Sequence, residues 1–392
     1  MSREVPSGWA SATIGQVAAI NLESVPANTP ADFLLRYIDV ATVEGPSTMH
    51  EPRLITFGEA PSRARRKVTQ GDILVSTVRP YLRAFCKVAS EEENLVASTA
   101  FAVLHPQLNI NGDFLYQHIL SDPFIEHLTP RMKGSNYPAV TASDVSAYSF
   151  SLPPLPEQRR IAEILSSVDE AIAATRAVIE QTRKVKQAVL ERLLTKGIGH
   201  TRFKQTEIGE IPEGWDAGRI DDFFVLQRGF DLTERQSAPG NVPVISSSGT
   251  SYFHSTSMIP GPAVITGRKG KLGQVHFIDQ PCWPHDTTLW VKDFKGNEPR
   301  YVYWFLRSLS LEKFDAATAV PTLNRNVVHA QNCAFPPRQE QSLIAKSLDG
   351  FESAEILQIK LLAQYGALKS ALMSDLLTGR KRVTDALPLA AE

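Results

Sequence analysis

Cysteine is scarce in this chain: three in 392 residues, Cys86, Cys282 and Cys333, all far apart. None forms a CxxC pair, so neither a zinc ribbon nor a dithiol redox motif is expected, and three reduced thiols in a cytosolic protein fit better. Long apolar runs are missing too. No stretch reaches the ~18 residues of a membrane helix, and the opening MSREVPSGW lacks the apolar core of a signal peptide. The expected location is the cytoplasm. There is also no excess of charge of either sign, with 41 Lys and Arg against 42 Asp and Glu. Nucleic-acid-binding domains are often strongly basic, so any surface for a polyanion must be local. Residues 157–204 are the most basic stretch, with 10 basic against 6 acidic side chains, whereas residues 1–156 carry 12 against 15.

The motifs of catalysis are missing as well. An adenine methyltransferase carries Asp/Asn-Pro-Pro-aromatic, but here the proline pairs are followed by Leu155 and Arg338. Gly270-Lys271 is followed by Leu272, which breaks a Walker phosphate loop. The glycines from Gly267 to Gly273 lie between predicted strands rather than at a strand-to-helix turn. Asp293-Phe294-Lys295 has no upstream carboxylate to complete a nuclease site. His285-Asp286 near Cys282 supplies too few ligands for a metal. No catalytic residue and no metal site are expected. At 43% hydrophobic and 21% charged residues the chain can fill packed cores, and its length suggests two or three domains.

What is present is a repeat. Val5-Pro6-Ser7-Gly8-Trp9 returns as Ile211-Pro212-Glu213-Gly214-Trp215, and Pro153-Pro154-Leu155-Pro156-Glu157-Gln158 returns as Pro336-Pro337-Arg338-Gln339-Glu340-Gln341. The second match continues at a constant offset of 183 through Ile161/Ile344 to Leu193/Leu376; the tryptophans are 206 apart, so the middle of the second half is shorter. Each half reads as short strands and loops rich in Gly, Pro and Ser, then one long helix. The prolines bar helix before the boundary and suit its first turn.

Ile161, Leu165, Val168, Ile172, Thr175, Ile179, Thr182, Lys186, Val189 and Leu193 alternate spacings of four and three, a heptad seam apolar at seven of ten positions. The equivalent residues from Ile344 to Leu376 give the same count. Each helix should run about 40 residues, or roughly 60 Å. Two such helices can cover each other's stripes. If like units pack through like faces, a pseudo-two-fold axis follows, with the helices antiparallel and the variable domains at opposite ends. The matched Lys186 and Lys369 in the seam either snorkel to solvent, the commoner use, or fix register and meet acidic partners.

The phrase from Phe150 to Ala162 resembles the start of the conserved region in Type I restriction-modification specificity subunits. Gly197 to Lys204, with Ile208 to Trp215, resembles that family's junction into its second recognition domain. Gly267 to Val275 resembles a strand-turn-strand segment of its recognition domains, and Gly71 to Ser76 its first-half counterpart. The resemblance implies an α+β chain: two target-recognition domains of mixed strands and short helices, separated by two long antiparallel coiled-coil helices in a pseudo-two-fold repeat. The implied division is 1–152 and 201–335 for the recognition domains, 153–200 for the first conserved helix, and 336–392 for the second with the C-terminal tail. The implied function is non-catalytic recognition of a bipartite, asymmetric site in double-stranded DNA, with half-sites on one face about one turn (~34–36 Å) apart. Two methyltransferase subunits would dock on the helices and methylate adenine, and restriction subunits would join them. S-adenosylmethionine would belong to the methyltransferases, ATP and magnesium to the restriction subunits, and no cofactor to this chain. The second helix departs from the pattern, with Ser342-Leu343 in place of Arg159-Arg160 and with Glu355 and Gln358 in its seam, which sets equal docking of both partners in question.

Base reading needs Arg or Lys for guanine and Asn or Gln for adenine. In the first domain the candidates are Arg63, Arg65, Arg66 and Lys67; Thr77, Arg79, Tyr81 and Arg83; and Lys133, Ser135, Asn136 and Tyr137. In the second they are Ser246, Ser247 and Ser248; Arg268, Lys269 and Lys271 among glycines that admit a phosphate; and Asn324, Arg325 and Asn326 after Pro321, which matches Pro138 at the offset of 183. Two other readings share the heptads: a coiled-coil scaffold with two globular heads, and part of a fused methyltransferase-specificity enzyme.

Overall fold

The structure is a computed structural model that describes residues 5–315 and 321–383. The first four residues, and residues 384–392 of the C-terminal tail, lie outside the described residues. The chain divides into two compact units, Met1–Thr175 with Leu361–Glu392, and Arg176–Lys360. Four helices organise them: α1 (Gly112–Leu120), α2 (Leu155–Lys196), α3 (Pro299–Ser308) and α4 (Arg338–Leu376). The long helices α2 and α4 span 42 and 39 residues, as the heptads require. Each unit holds part of each.

In unit 1, β1 (Ala18–Ile20), β2 (Leu34–Ile38), β3 (Arg53–Thr56), β4 (Ala64–Lys67), β5 (Ile73–Ser76), β6 (Phe85–Lys87), β7 (Leu95–Ser98) and β8 (Phe101–Pro106) make two sheets. Their orders are β1-β8-β5-β6, antiparallel throughout, and β3-β2-β7-β4, in which β2 and β7 are parallel. In unit 2, β9 (Val225–Arg228), β10 (Val242–Ser246), β11 (Gly249–His254), β12 (Ala263–Gly267), β13 (Val275–Ile278), β14 (Trp283–Pro284) and β15 (Thr288–Asp293) repeat the plan as β9-β15-β12-β13 and β11-β10-β14, with β10 and β14 parallel. Central β5 and β12 are buried on both faces, which is why they read as apolar runs rather than alternating strands. The second half is shorter for identifiable reasons. Among the described residues, unit 2 has no counterpart of β4. Fourteen residues join β2 to β3, whereas only Ser247 and Ser248 join β10 to β11.

The repeated phrases meet inside each unit. Glu157 accepts a hydrogen bond from Trp9 Nε1 at 3.0 Å and a bidentate pair from Arg382 at 2.8 Å. Glu340 accepts from Trp215 Nε1 at 3.1 Å, His200 Nε2 at 2.8 Å and the Ile198 amide at 2.8 Å. The Arg382 guanidinium holds the Glu157 carboxyl below its ordinary range. Buried Gln158 and Gln341 do a second matched job. Their Oε1 atoms accept from the amides of Asn111 and Glu298, the residues that open α1 and α3, at 2.7 and 2.8 Å. Their Nε2 atoms donate to the carbonyls of Pro153 and Pro336. Helix starts leave amides without internal partners, so Glu-Gln carries one contact for the Gly-Trp segment and one for the helix start. Each long helix is followed by a left-handed glycine, Gly197 at φ +64° and Gly379 at φ +70°. A Cβ at Gly197 would stand 2.3 Å from the Glu340 carboxylate, so space as well as backbone demands glycine there.

Within each unit the long helices run antiparallel. In unit 1, Asp169 meets Lys369 at 2.6 Å while Glu157 meets Arg382. In unit 2, Lys186 pairs with Glu355, which also takes Arg183 Nε at 2.7 Å, while residues 198–200 meet Glu340. The seam lysines therefore do not snorkel. Each is largely covered and meets an acid of the facing helix, and Glu355, which interrupts the apolar seam, is what Lys186 needs. Ile161, Leu165, Ile344 and Leu348 are fully buried, each contributing about 1.5–3 kcal/mol. They join the cores around Phe114 and Phe150 in unit 1 and around Tyr301, Trp304 and Phe335 in unit 2.

Candidate nucleic-acid interface

Two loops of unit 1 are joined through their backbones. The β5–β6 connection contains a single tight turn, Pro80–Leu82, with Pro80 buried and with Arg79 and Arg83 in left-handed conformations at φ +48° and +52°. The Arg79 amide donates to Pro138 O at 2.7 Å, and the Val140 amide donates to Thr77 O at 2.9 Å. Lys133 and Ala139 exchange two backbone bonds of 2.9 Å, which closes the loop holding Ser135, Asn136 and Tyr137. Two groups that stand apart in sequence thus form one surface. Lys133, Ser135, Asn136, Tyr137 and Tyr81 are exposed. The Arg79 guanidinium lies 4.8 Å from the Tyr137 ring centroid, and its Nη2 donates to Asn136 O at 2.9 Å. Arg83 donates to Leu120 O at 2.7 Å and pairs with Asp122.

The basic run on β4 is bound up in the fold. Arg63 donates to Tyr37 and Asp39, Arg65 lies 4.9 Å over the Phe57 ring, and Lys67 pairs with Glu23 at 3.0 Å. Arg66 keeps a buried Nε without a partner. The run starts beside the loop surface, because Arg63 O accepts from Thr99 while the next carbonyl, Ala100 O, accepts from Thr77.

Unit 2 builds the corresponding surface from the same backbone contacts. The Gly270 amide donates to Pro321 O at 3.1 Å, and the Leu323 amide donates to Arg268 O at 2.8 Å. Arg268, Lys269 and Lys271 are thereby brought beside Asn324, Arg325 and Asn326. Lys269, Lys271, Asn324, Arg325 and Asn326 are exposed, and Arg268 Nη1 donates to Asp286 O at 3.2 Å. Asn324 also caps the short helix Arg325–His329. The β10–β11 turn joins this surface: a Cβ at Gly270 would lie 3.6 Å from Ser247 Oγ. Ser246 Oγ ties that turn to Gly249 O, Ser247 is buried, and Ser248 is exposed. Sequence reasoning missed the tryptophan–glutamate contact, the glutamines under the helix starts and the exposed Leu82. The repeated Gly-Trp and Glu-Gln phrases were the available signal for the first two.

Among the described residues no cluster of His, Cys, Asp and Glu could hold a metal ion, and no helix is long and apolar enough to cross a membrane. The three cysteines are buried and unpaired, and burial pushes the Cys86 thiol up to about 12.

A family model, the Type I restriction modification DNA specificity domain, matches residues 6–182 and 212–364. The MjaVIII specificity subunit of Methanocaldococcus jannaschii is 26% identical over 320 residues, 74% of this chain and 75% of that one. The putative MjaX specificity subunit of the same organism is 24% identical, covering 82% and 80%. Two solved structures share the fold. One is a chain from work on complex assembly and conformational transition of the Type I R-M system, with TM-score 0.63 and 21% identity over 96% of this chain and 100% of that one. The other is the Type I S subunit from M. genitalium, with TM-score 0.63 and 14% identity over 96% and 97%. The chain belongs to the family of Type I restriction-modification specificity subunits, the non-catalytic recognition members of those systems.

Proposed function

We propose that this chain reads a bipartite, asymmetric site in double-stranded DNA, one half per unit, and positions two methyltransferase subunits to methylate adenine. Restriction subunits join the same assembly. The observation that carries this reading is the pair of loop surfaces, held by matched backbone bonds to Pro138 and Pro321 but bearing different polar side chains. One frame with two different sets of donors suits two different half-sites. In unit 1 the readers are Thr77, Arg79, Tyr81 and Arg83 with Lys133, Ser135, Asn136 and Tyr137; Arg63, Arg65, Arg66 and Lys67 complete the set. In unit 2 they are Ser246, Ser247, Ser248, Arg268, Lys269, Lys271, Asn324, Arg325 and Asn326.

The working division is 1–152 and 201–335 for the readers and 153–200 and 336–392 for the helical elements that carry the methyltransferases. Exposed apolar side chains on α4, Leu343, Ile356 and Leu357, suit protein docking. S-adenosylmethionine is held by the methyltransferases, ATP and magnesium by the restriction subunits, and the assembly works in the cytoplasm. The test is binding by the assembled methyltransferase complex to duplexes in which the two half-sites are moved apart. Inserting about five base pairs, half a turn, should abolish tight binding while each half-site stays intact. Undiminished binding would remove the two-reader mechanism.

A further inference from the structure

Arg79 combines a fixed guanidinium with terminal N–H donors that are left over. Its backbone is pinned by the bond to Pro138 O and held at φ +48°, a conformation that costs a non-glycine residue free energy and persists where the surroundings impose it. Its plane is held by the Tyr137 ring, at 4.8 Å, and by the bond from Nη2 to Asn136 O. Its Nε is buried without a hydrogen-bond partner. Of the five guanidinium N–H donors, three are left for a ligand, both on Nη1 and the second on Nη2, and one from each nitrogen makes an end-on pair. That pair matches two adjacent acceptors in one plane.

Guanine offers that arrangement in the major groove through O6 and N7, and bidentate Arg–guanine pairing is the commonest specific contact there. Two phosphate oxygens can also take such a fork, but a mobile lysine serves a phosphate as a point charge, so a fixed plane is not required there. Exposed Lys133, on the adjoining loop, has that freedom. Tyr137 is 70% exposed, yet its face is occupied by the guanidinium, so its role is to stiffen the fork before DNA arrives. We infer that Arg79, set by Tyr137, reads a guanine in the half-site taken by unit 1. The inference rests on the DNA-reading function proposed above. In unit 2 the bond to Pro321 O that matches Arg79 to Pro138 O is made by the Gly270 amide, so no guanidinium stands at that position.

The experiment uses the chain assembled with its methyltransferase subunits and a duplex carrying the site mapped by adenine methylation in cells. Each guanine of the unit 1 half-site is replaced singly by 7-deazaguanine, which lacks the N7 acceptor. Wild type should lose about 5- to 150-fold in affinity at one position. Arg79→Lys should be insensitive to the replacement at that position and retain the penalties at the others. Tyr137→Ala should weaken the same discrimination and Tyr137→Phe should keep it, because the ring face remains; this pair decides the matter if Arg79→Lys does not fold. The inference is overturned by a half-site without guanine, or by 7-deazaguanine penalties that Arg79→Lys leaves unchanged. A uniform loss on all sequences with a shallower salt dependence, the mark of a phosphate contact, overturns it too. Wild-type binding with no sequence preference would instead remove the DNA-reading function itself.

Discussion

Unit 1 and unit 2 share sheet order, the tryptophan–glutamate contact and the glutamine beneath the first domain helix, but they differ in every loop that carries cations. Unit 1 has a fourth strand, β4, and a 14-residue connection where unit 2 has a two-residue turn. The shared parts answer local demands: an indole N–H needs an acceptor, and a helix start needs acceptors for its amides. The loops answer to no such demand once their ends are fixed at Pro138 and Pro321, so their side chains are free to differ. The side chains that complete the two clasps differ as well, Arg382 on Glu157 against His200 on Glu340.

The comparison can be broken at several points. The largest effect is expected from Trp215→Ala. Trp215 is fully buried while Trp9 keeps 8% exposure, so Trp215→Ala should cost about 3–5 kcal/mol and Trp9→Ala less. Hydrogen exchange should show lost protection confined to unit 2 for the first and to unit 1 for the second; loss spread evenly over both would show that they do not fold as separate cores. Next, Arg268→Ala should cost about 1–3 kcal/mol and relax one position of one half-site, read from competition binding. Unchanged preference would remove that loop from the interface.

A pH experiment separates the units in another way. Burial drives the His118 imidazole down to about 3 from its ordinary 6.5, while at the matching point of α3, counted from the helix starts, stands Phe305. A histidine kept neutral in the fold contributes fully above pH 6.5. Its contribution falls as pH drops from there towards 3, because the unfolded chain takes up a proton that the fold does not. At pH 5 the loss is about 2 kcal/mol. His118→Phe should therefore flatten the pH dependence of unit 1 protection between pH 7 and 5, and an unchanged slope would place the acid sensitivity elsewhere. The smallest effect is expected from Arg63→Ala. With Tyr37 and Asp39 as its partners on a half-exposed surface, it should change stability by about 0.5 kcal/mol or less, read from the denaturation midpoint.

The two long helices were legible in the sequence because their signal is local: a heptad spacing, with prolines at the start. The sheets were legible only as a class, since pairing such as β2 with β7 joins residues nearly 60 positions apart and no local pattern states it. The seam lysines show the same limit. Lys186 and Lys369 stand at matched positions, yet Lys186 meets Glu355 and Lys369 meets Asp169, which are not equivalent across the repeat. Only the three-dimensional register shows which acid each reaches. Among the candidate readers, residues 77–83 and 133–137 converge because a backbone bond to Pro138 brings them together. The run 63–67 looked basic in sequence, but its partners Tyr37, Asp39, Phe57 and Glu23 come from distant segments.

The most direct measurement is base-resolution mapping of methylated adenines in cells that carry this chain with its methyltransferase, comparing wild type with one variant in each unit, Arg79→Lys and Arg268→Ala. Two separated specific segments should appear, with Arg79→Lys altering only one and Arg268→Ala only the other. A single continuous motif, or variants that change both segments together, would contradict the assignment of one half-site to each unit.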